Sequence, residues 1–232
     1  MSGQAFTSFD DVPRGLYQVI VADPPWEQIQ RTEAGYDKSP QAHYRCASVA
    51  DMGAWPVRRF AASECALIMW ALAPMLPHAL DLMQRWGFRF VTSAAWAKAS
   101  ETGAKWAFGT GHVLRGACEF ILIGAVGHPK RLSKSVRNLI APPTPADLVR
   151  GVPDAPCWPD EAIDAVMGGA GLVDRRTRIH SEKPDSLYRW IETLYAGPYL
   201  DLCSRQARGS GWDCAGDQAG SLDAFRRDGG RA

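Results

Sequence analysis

Residues 17–26 read YQVIVADPPW, and this run decides the fold class. Its first six residues, Tyr17–Ala22, are apolar except for Gln18 and rich in β-branched side chains. A strand that is apolar on both faces belongs inside a parallel sheet, with helices covering each side. Asp23 follows, and then Pro24 and Pro25. Prolines cannot donate to a sheet ladder, so the strand ends there and the chain turns. The run predicts a buried strand that delivers an acid and a tryptophan to its carboxyl end, where α/β sheets bind ligands.

The strand pattern recurs downstream at 66–71 (ALIMWA), 88–97 and 119–126 (EFILIGAV). A last short strand, 199–204 (YLDLCS), carries Asp201 near its end. Residues 77–86 predict a helix with proline in its first turn and Gly87 past its end. Residues 184–196 predict another, opened by Pro184 and closed before Gly197-Pro198. A shorter helix is expected over 47–60, broken at Pro56. Strands alternating with helices argue an α/β domain with a largely parallel sheet. The polar segment 26–44 reads as a long loop, and loops of that length in compact domains tend to be functional.

The chain has 232 residues, 46% hydrophobic and 22% charged, with 26 Lys and Arg against 25 Asp and Glu and a net charge of +1. This suits one globular domain that buries about 70% of its extended-chain surface. It excludes disorder for most of the chain. The longest apolar runs, such as 66–77, fall short of the roughly 20 residues a membrane span needs. The start, MSGQAFTSFDD, has no basic and apolar leader, and the cysteines at 46, 65, 118, 157, 203 and 214 form no CxxC pair. The expectation is a cytoplasmic protein with reduced thiols, no metal centre and no membrane partner.

Near-neutral charge excludes a globally basic nucleic-acid coat and leaves room for a local basic groove. Residues 130–137 (KRLSKSVR) hold Lys130, Arg131, Lys134 and Arg137, which suit phosphate contact or a solvated face equally. Residues 142–177 are rich in Pro, Gly and Ala and hold six acids against three bases. They read as an insertion with one short helix at 159–167, set in a single domain of residues 1–220. Residues 221–232 read as a frayed tail.

The chemistry centres on Asp23. Pro24 restricts it to an extended backbone. Its carboxylate, with the carbonyl of Pro24 or Pro25, can grip both hydrogens of a planar exocyclic amine and aim the nitrogen lone pair at an electrophile. Trp26, with Tyr36 or Tyr44 from the loop, offers a face on which a base stacks. The same four residues also suit a plain strand-end turn, in which the acid caps, the prolines terminate and the tryptophan packs. Asp201 at the late strand end can bind ribose hydroxyls. His43 and His112 are candidates for nucleic-acid contact or for local hydrogen bonds.

Taken in order, these segments resemble the MT-A70 family of adenine amino-methyltransferases. The matching pieces are Asp23-Pro24-Pro25-Trp26, His43-Tyr44, Trp96-Ala97-Lys98, Gly109-Thr110-Gly111-His112 with Leu114-Arg115 and Glu119, residues 178–185 (RIHSEKPD), Asp201-Leu202 with Arg205 and Trp212, and Gly216-Asp217-Gln218. The resemblance implies a Rossmann-like class I methyltransferase sheet in permuted order, catalytic strand first and cofactor strand last. It implies S-adenosylmethionine as cofactor, contacted by Asp23, Lys183, Asp201, Arg205, Arg208, Asp217 and Gln218. Tyr36, His43, Tyr44, Lys98, His112, Arg115 and Glu119 would face the substrate. Lys183-Pro184-Asp185 also suits a helix start. The chain departs from the family at Ala5-Phe6-Thr7, where an acid is common, at Cys203, usually Phe, and at Asp217, usually Asn.

The function implied is transfer of a methyl group to the N6 amine of adenine in nucleic acid, with DNA favoured over RNA and a monomer or homodimer expected. The alternatives are an RNA adenine methyltransferase, a catalytically inert nucleic-acid-binding subunit, and methylation of some other amine. An inert subunit would be expected to lack DPPW, which is present here.

Overall fold

The computed structural model describes residues 3–26, 46–98, 106–109, 113–140, 183, 185–204, 211–216 and 219. The expected insertion at 142–177, the tail at 221–232 and nearly all of the loop at 26–44 lie outside them. The strands are β1 (Ala5–Phe6), β2 (Tyr17–Ala22), β3 (Ala61–Ala71), β4 (Arg89–Ala97), β5 (Cys118–Val126), β6 (Leu139–Ile140), β7 (Tyr199–Leu202) and β8 (Trp212–Ala215). The helices are α1 (Val49–Gly53), α2 (Val57–Phe60), α3 (Leu76–Arg85) and α4 (Asp185–Leu194), with a single 3₁₀ turn at Ala73–Met75. The strands lie in the order β1-β8-β7-β2-β3-β5-β4-β6, an eight-stranded sheet in a mixed α/β structure. The pairs β1 with β8, β8 with β7, β7 with β2, β2 with β3 and β4 with β6 are all parallel. The chain divides into two compact units. One comprises Met1–Thr92, Leu122–Lys130 and Gly197–Ala232, and the other Ser93–Ile121 and Arg131–Ala196.

In the first unit β2 lies between β3 and β7, which explains its unbroken apolar run. Val19, Ile20, Val21 and Ala22 face Ala66, Leu67, Ile68 and Met69 on one side and Tyr199, Leu200, Asp201 and Leu202 on the other. All four are at most 1% exposed. Full burial of a Val or Ile side chain contributes about 1.5–3 kcal/mol.

The expected helix over 47–60 is two helices. Ser48 caps α1 by accepting the N–H of Asp51 at 3.1 Å. Ala54 and Trp55 close α1 on the carbonyls of Asp51 and Met52, and Pro56 then opens α2. Trp86, just past α3, donates its indole N–H to the carbonyl of Met52 at 2.8 Å and stacks on Trp55 at 6.1 Å. Trp70 and Trp86 are core residues, 2% and 1% exposed. Gly87 ends α3 at φ +78°, a conformation that favours glycine.

In the second unit α4 buries Leu187, Tyr188, Trp190, Ile191 and Leu194, a stripe at helical spacing. Trp190 donates its indole N–H to the carbonyl of Arg137 at 3.1 Å. The N–H of Leu132 donates to the carbonyl of Leu194 at 2.8 Å. These two bonds tie the basic segment's backbone to α4. Ala95 and Trp96 of β4 pair with Leu139 and Ile140 of β6.

Candidate active site

In the first unit the carboxyl ends of β2, β7 and β8 come side by side. Asp23 donates its backbone N–H to the carbonyl of Leu202 at 3.3 Å, so the β2–β7 ladder runs one residue past the strand. The turn after it is held by the carbonyls of both prolines. Pro24 accepts the N–H of Trp26 at 2.8 Å, and Pro25 accepts the N–H of Ala47 at 3.0 Å. A carbonyl oxygen has two lone pairs, and each of these backbone bonds uses one of them. Asp23 itself is half-buried. Trp26 differs from the open stacking face expected of it. It is 4% exposed, and its indole N–H meets no acceptor among the described residues. Such a buried, unsatisfied donor costs about 1–3 kcal/mol.

Asp201 stands in β7 opposite Val21 and Cys214 and is 3% exposed. It is the one buried charged side chain among the described residues. Just beyond it Cys203 takes φ 64°, rare for a residue with a side chain, and donates its N–H to the carbonyl of Ala215 at 2.7 Å. Gly216 ends β8 at φ 155°, and a Cβ there would sit 3.2 Å from the Cα of Cys203. The chain thus brings the ends of β7 and β8 to a distance that favours glycine. Of the residues expected at the cofactor, Arg205, Arg208, Asp217 and Gln218 lie outside the described residues.

The second unit holds a charge network. Lys98 follows β4, Glu119 lies in β5, and Lys183 stands two residues before α4. Glu119 Oε1 pairs with Lys98 Nζ, and Oε2 pairs with Lys183 Nζ at 3.4 Å. Burial alone would raise the carboxyl's pKa. The two ammonium groups, Lys183 ahead of Lys98, overcome it and hold the carboxyl below its usual value of 4.5. Lys98 Nζ also sits 4.8 Å from the ring centroid of Trp96. The sequence reading divided these lysines between substrate and cofactor; the structure joins them on one carboxylate. Glu119 is separated by 21 residues from Lys98 and by 64 from Lys183, so no local spacing signals the network.

Lys98 also anchors a loop. Its N–H donates to the carbonyl of Ala117 and its own carbonyl accepts the N–H of Ala107, both at 2.8 Å. Gly109 donates its N–H to the carbonyl of Gly116 at 2.9 Å, and a Cβ on Gly109 would lie 2.8 Å from that oxygen. Arg115 is exposed and lies 5.0 Å from the ring centroid of Phe108, itself 80% exposed. Lys130, Arg131, Lys134 and Arg137 are all exposed. Tyr36, His43, Tyr44 and His112 lie outside the described residues. Trp96, Phe108, Cys203 and Gly216 were not singled out as site residues from the sequence, although Trp96 and Gly216 fall inside the quoted motifs. Among the described residues no group of three His, Cys, Asp or Glu could hold a metal ion, and no helix is long and apolar enough to cross a membrane.

A buried parallel strand thus ends in Asp23-Pro24-Pro25-Trp26 beside a late strand bearing a buried acid. The MT-A70 family model matches residues 17–152, more than half of the chain, and the chain belongs to that family. It is also 26% identical over 151 residues to the Type II methyltransferase M.MunI of Mycoplasma sp. That match takes in 57% of this chain and spans 61% of the relative's length.

Proposed function

We propose that the chain transfers a methyl group from S-adenosylmethionine to the N6 amine of adenine in nucleic acid, taking DNA ahead of RNA. The observation that carries this reading is Asp23-Pro24-Pro25-Trp26 at the end of β2, hydrogen-bonded to the end of β7, the strand of Asp201. A first strand bearing the catalytic motif beside a late strand bearing an acid is what a permuted methyltransferase sheet requires. The relative's name, a type II methyltransferase, points the same way.

The residues present fit the methyl donor. Asp201 is a buried carboxylate suited to ribose hydroxyls, and Gly216 leaves the ends of β7 and β8 without a side chain between them. S-adenosylmethionine, when bound, supplies a methyl carbon activated by its sulfonium. Asp23 accepts one N–H of the target amine, and the second lone pair of the Pro24 or Pro25 carbonyl accepts the other. That grip turns the nitrogen lone pair toward the methyl carbon. The donor would supply the methyl group that this nitrogen receives, and the amine's surplus proton would pass to water. Asp23 therefore acts by positioning, with no need to be a strong base. A base in a duplex must first leave the stack. The test is incubation with labelled S-adenosylmethionine and matched DNA and RNA pools, followed by nucleoside analysis. Label in N6-methyladenine from DNA supports the reading. Label in no nucleoside contradicts it.

A further inference from the structure

Between β4 and β5 the second unit exposes side chains that a folded domain ordinarily buries. Trp106, Phe108, Val113 and Leu114 are all exposed, Phe108 to 80%. Their backbone is fixed all the same. The carbonyl of Lys98 accepts the N–H of Ala107, and its N–H donates to the carbonyl of Ala117, both at 2.8 Å. Gly109 donates its N–H to the carbonyl of Gly116 at 2.9 Å. Two arms, 106–109 and 113–117, are laced together by these bonds. Phe108 stands on one arm and Arg115 on the other, with the guanidinium carbon 5.0 Å from the ring centroid. This cation–π contact braces the ring, which still gives most of its surface to solvent.

An exposed apolar patch of this kind marks a binding surface, and its charge narrows the partner. Residues 106–118 hold no Asp or Glu. Among the described residues Arg115 enters no salt bridge. An apolar protein surface would desolvate the guanidinium without pairing it. A flat ring with a cation beside it instead suits a nucleobase and its phosphate. We propose that Phe108 and Arg115 form a binding site for an unpaired nucleobase, the base stacking on the ring and the guanidinium meeting the phosphate. The site rests on the nucleic-acid substrate proposed above, and it adds Phe108, which lies outside the segments that carry the family resemblance. Inside a duplex both faces of a base are covered by its neighbours, so the ring takes a base from a single strand or one already out of its stack. The laced arms hold ring and cation in place beforehand, which lowers the ordering cost of binding.

The experiment follows the anisotropy of a labelled single-stranded DNA oligonucleotide bound by the full chain, with no methyl donor present. Phe108→Ala should weaken binding at least about fivefold, the loss of one stacked base. Its circular dichroism spectrum should not change, and neither should the slope of log affinity against log salt, because no charge is removed. Phe108→Trp should bind at least as tightly as the wild type. Phe108→Leu, apolar without a π face, should lose most of what Phe108→Ala loses. Arg115→Gln should flatten the salt slope by about 0.7, the value for one phosphate on a single strand. On a fully paired duplex of the same sequence Phe108→Ala should cost far less.

Wild-type affinity in Phe108→Ala or in Phe108→Leu overturns the site, and so do equal losses on single strand and duplex. An oligomer that Phe108→Ala dissolves in sedimentation, with single-strand affinity kept, gives the patch to a second copy and overturns it as well. A wild-type chain that binds through Phe108 yet methylates nothing sinks the function reading and leaves the site standing. A chain that methylates DNA while Phe108→Ala binds like the wild type does the reverse.

Discussion

Asp23 and Leu202, 179 positions apart in the chain, are joined by a backbone hydrogen bond of 3.3 Å from the N–H of one to the carbonyl of the other. The bond makes the carboxyl ends of β2 and β7 a single edge, and the acids Asp23 and Asp201 belong to that edge. Since it uses only main-chain atoms, either acidic side chain can be changed without breaking it.

Asp201 should matter to cofactor affinity. A carboxylate at 3% exposure must have partners, and a ligand hydroxyl would be among the strongest. Asp201→Asn keeps the volume and removes the charge. It is expected to weaken S-adenosylmethionine binding by about 1–3 kcal/mol, roughly five- to 150-fold. Titration calorimetry on the wild type and the variant checks this. Equal affinities would place the donor elsewhere.

Gly109 is needed for a close approach. An added Cβ would come to 2.8 Å from the carbonyl oxygen of Gly116, a backbone atom that cannot step aside cheaply. Gly109→Ala should therefore open the loop that Gly109 and Gly116 close. Nucleic-acid affinity should fall, with donor affinity unchanged. Fluorescence anisotropy with a labelled oligonucleotide, set beside calorimetry with the donor, separates the two.

Acid stability should report on Glu119. Its carboxyl is held below its usual value of 4.5 in the folded chain, so it binds fewer protons folded than unfolded. The stability this brings is fully present above the unfolded value and is lost as the pH falls through the folded one. Chemical denaturation at a series of pH values from neutral to about 3 should show wild-type stability falling below pH 4.5 more steeply than that of Glu119→Gln. Parallel curves would show that the carboxylate gains nothing from its two lysines.

The basic segment should carry the salt dependence of nucleic-acid binding. Lys130, Arg131, Lys134 and Arg137 are all exposed, and the backbone at 132 and 137 is fastened to α4. Each cation that meets a phosphate adds about 0.9 to the slope of log affinity against log salt. Replacing all four with Gln should flatten that slope, while a Gly-Ser linker in place of the acidic segment 142–177 should leave it nearly unchanged. The opposite pattern would reverse the two roles.

The sequence was most legible where one stretch of chain carries the whole signal. β2 announced itself because a strand flanked by parallel neighbours is apolar on both faces, and the proline pair marked its end. β7 could be read for the same reason. The two-residue strands β1 and β6 carry no period, so neither could be read, and β8 was not expected as a strand. The break between α1 and α2 was signalled by Pro56. What escaped was whatever depends on distant partners. The shared carboxylate of Glu119 joins residues from three elements. The burial of Trp26, which the motif presents as an open face, depends on neighbours that a linear reading does not show. The left-handed turn at Cys203 has no glycine to announce it.

The central claim is that Asp23 holds the amine that receives the methyl group. The direct measurement is nucleoside analysis of DNA incubated with labelled S-adenosylmethionine and either the wild type or Asp23→Ala. The account predicts labelled N6-methyladenine with the wild type. It predicts a loss of about three orders of magnitude or more with the variant, whose fold and donor binding persist, in line with the loss of well-oriented positioning. N6-methyladenine formed by Asp23→Ala at near the wild-type rate would contradict it.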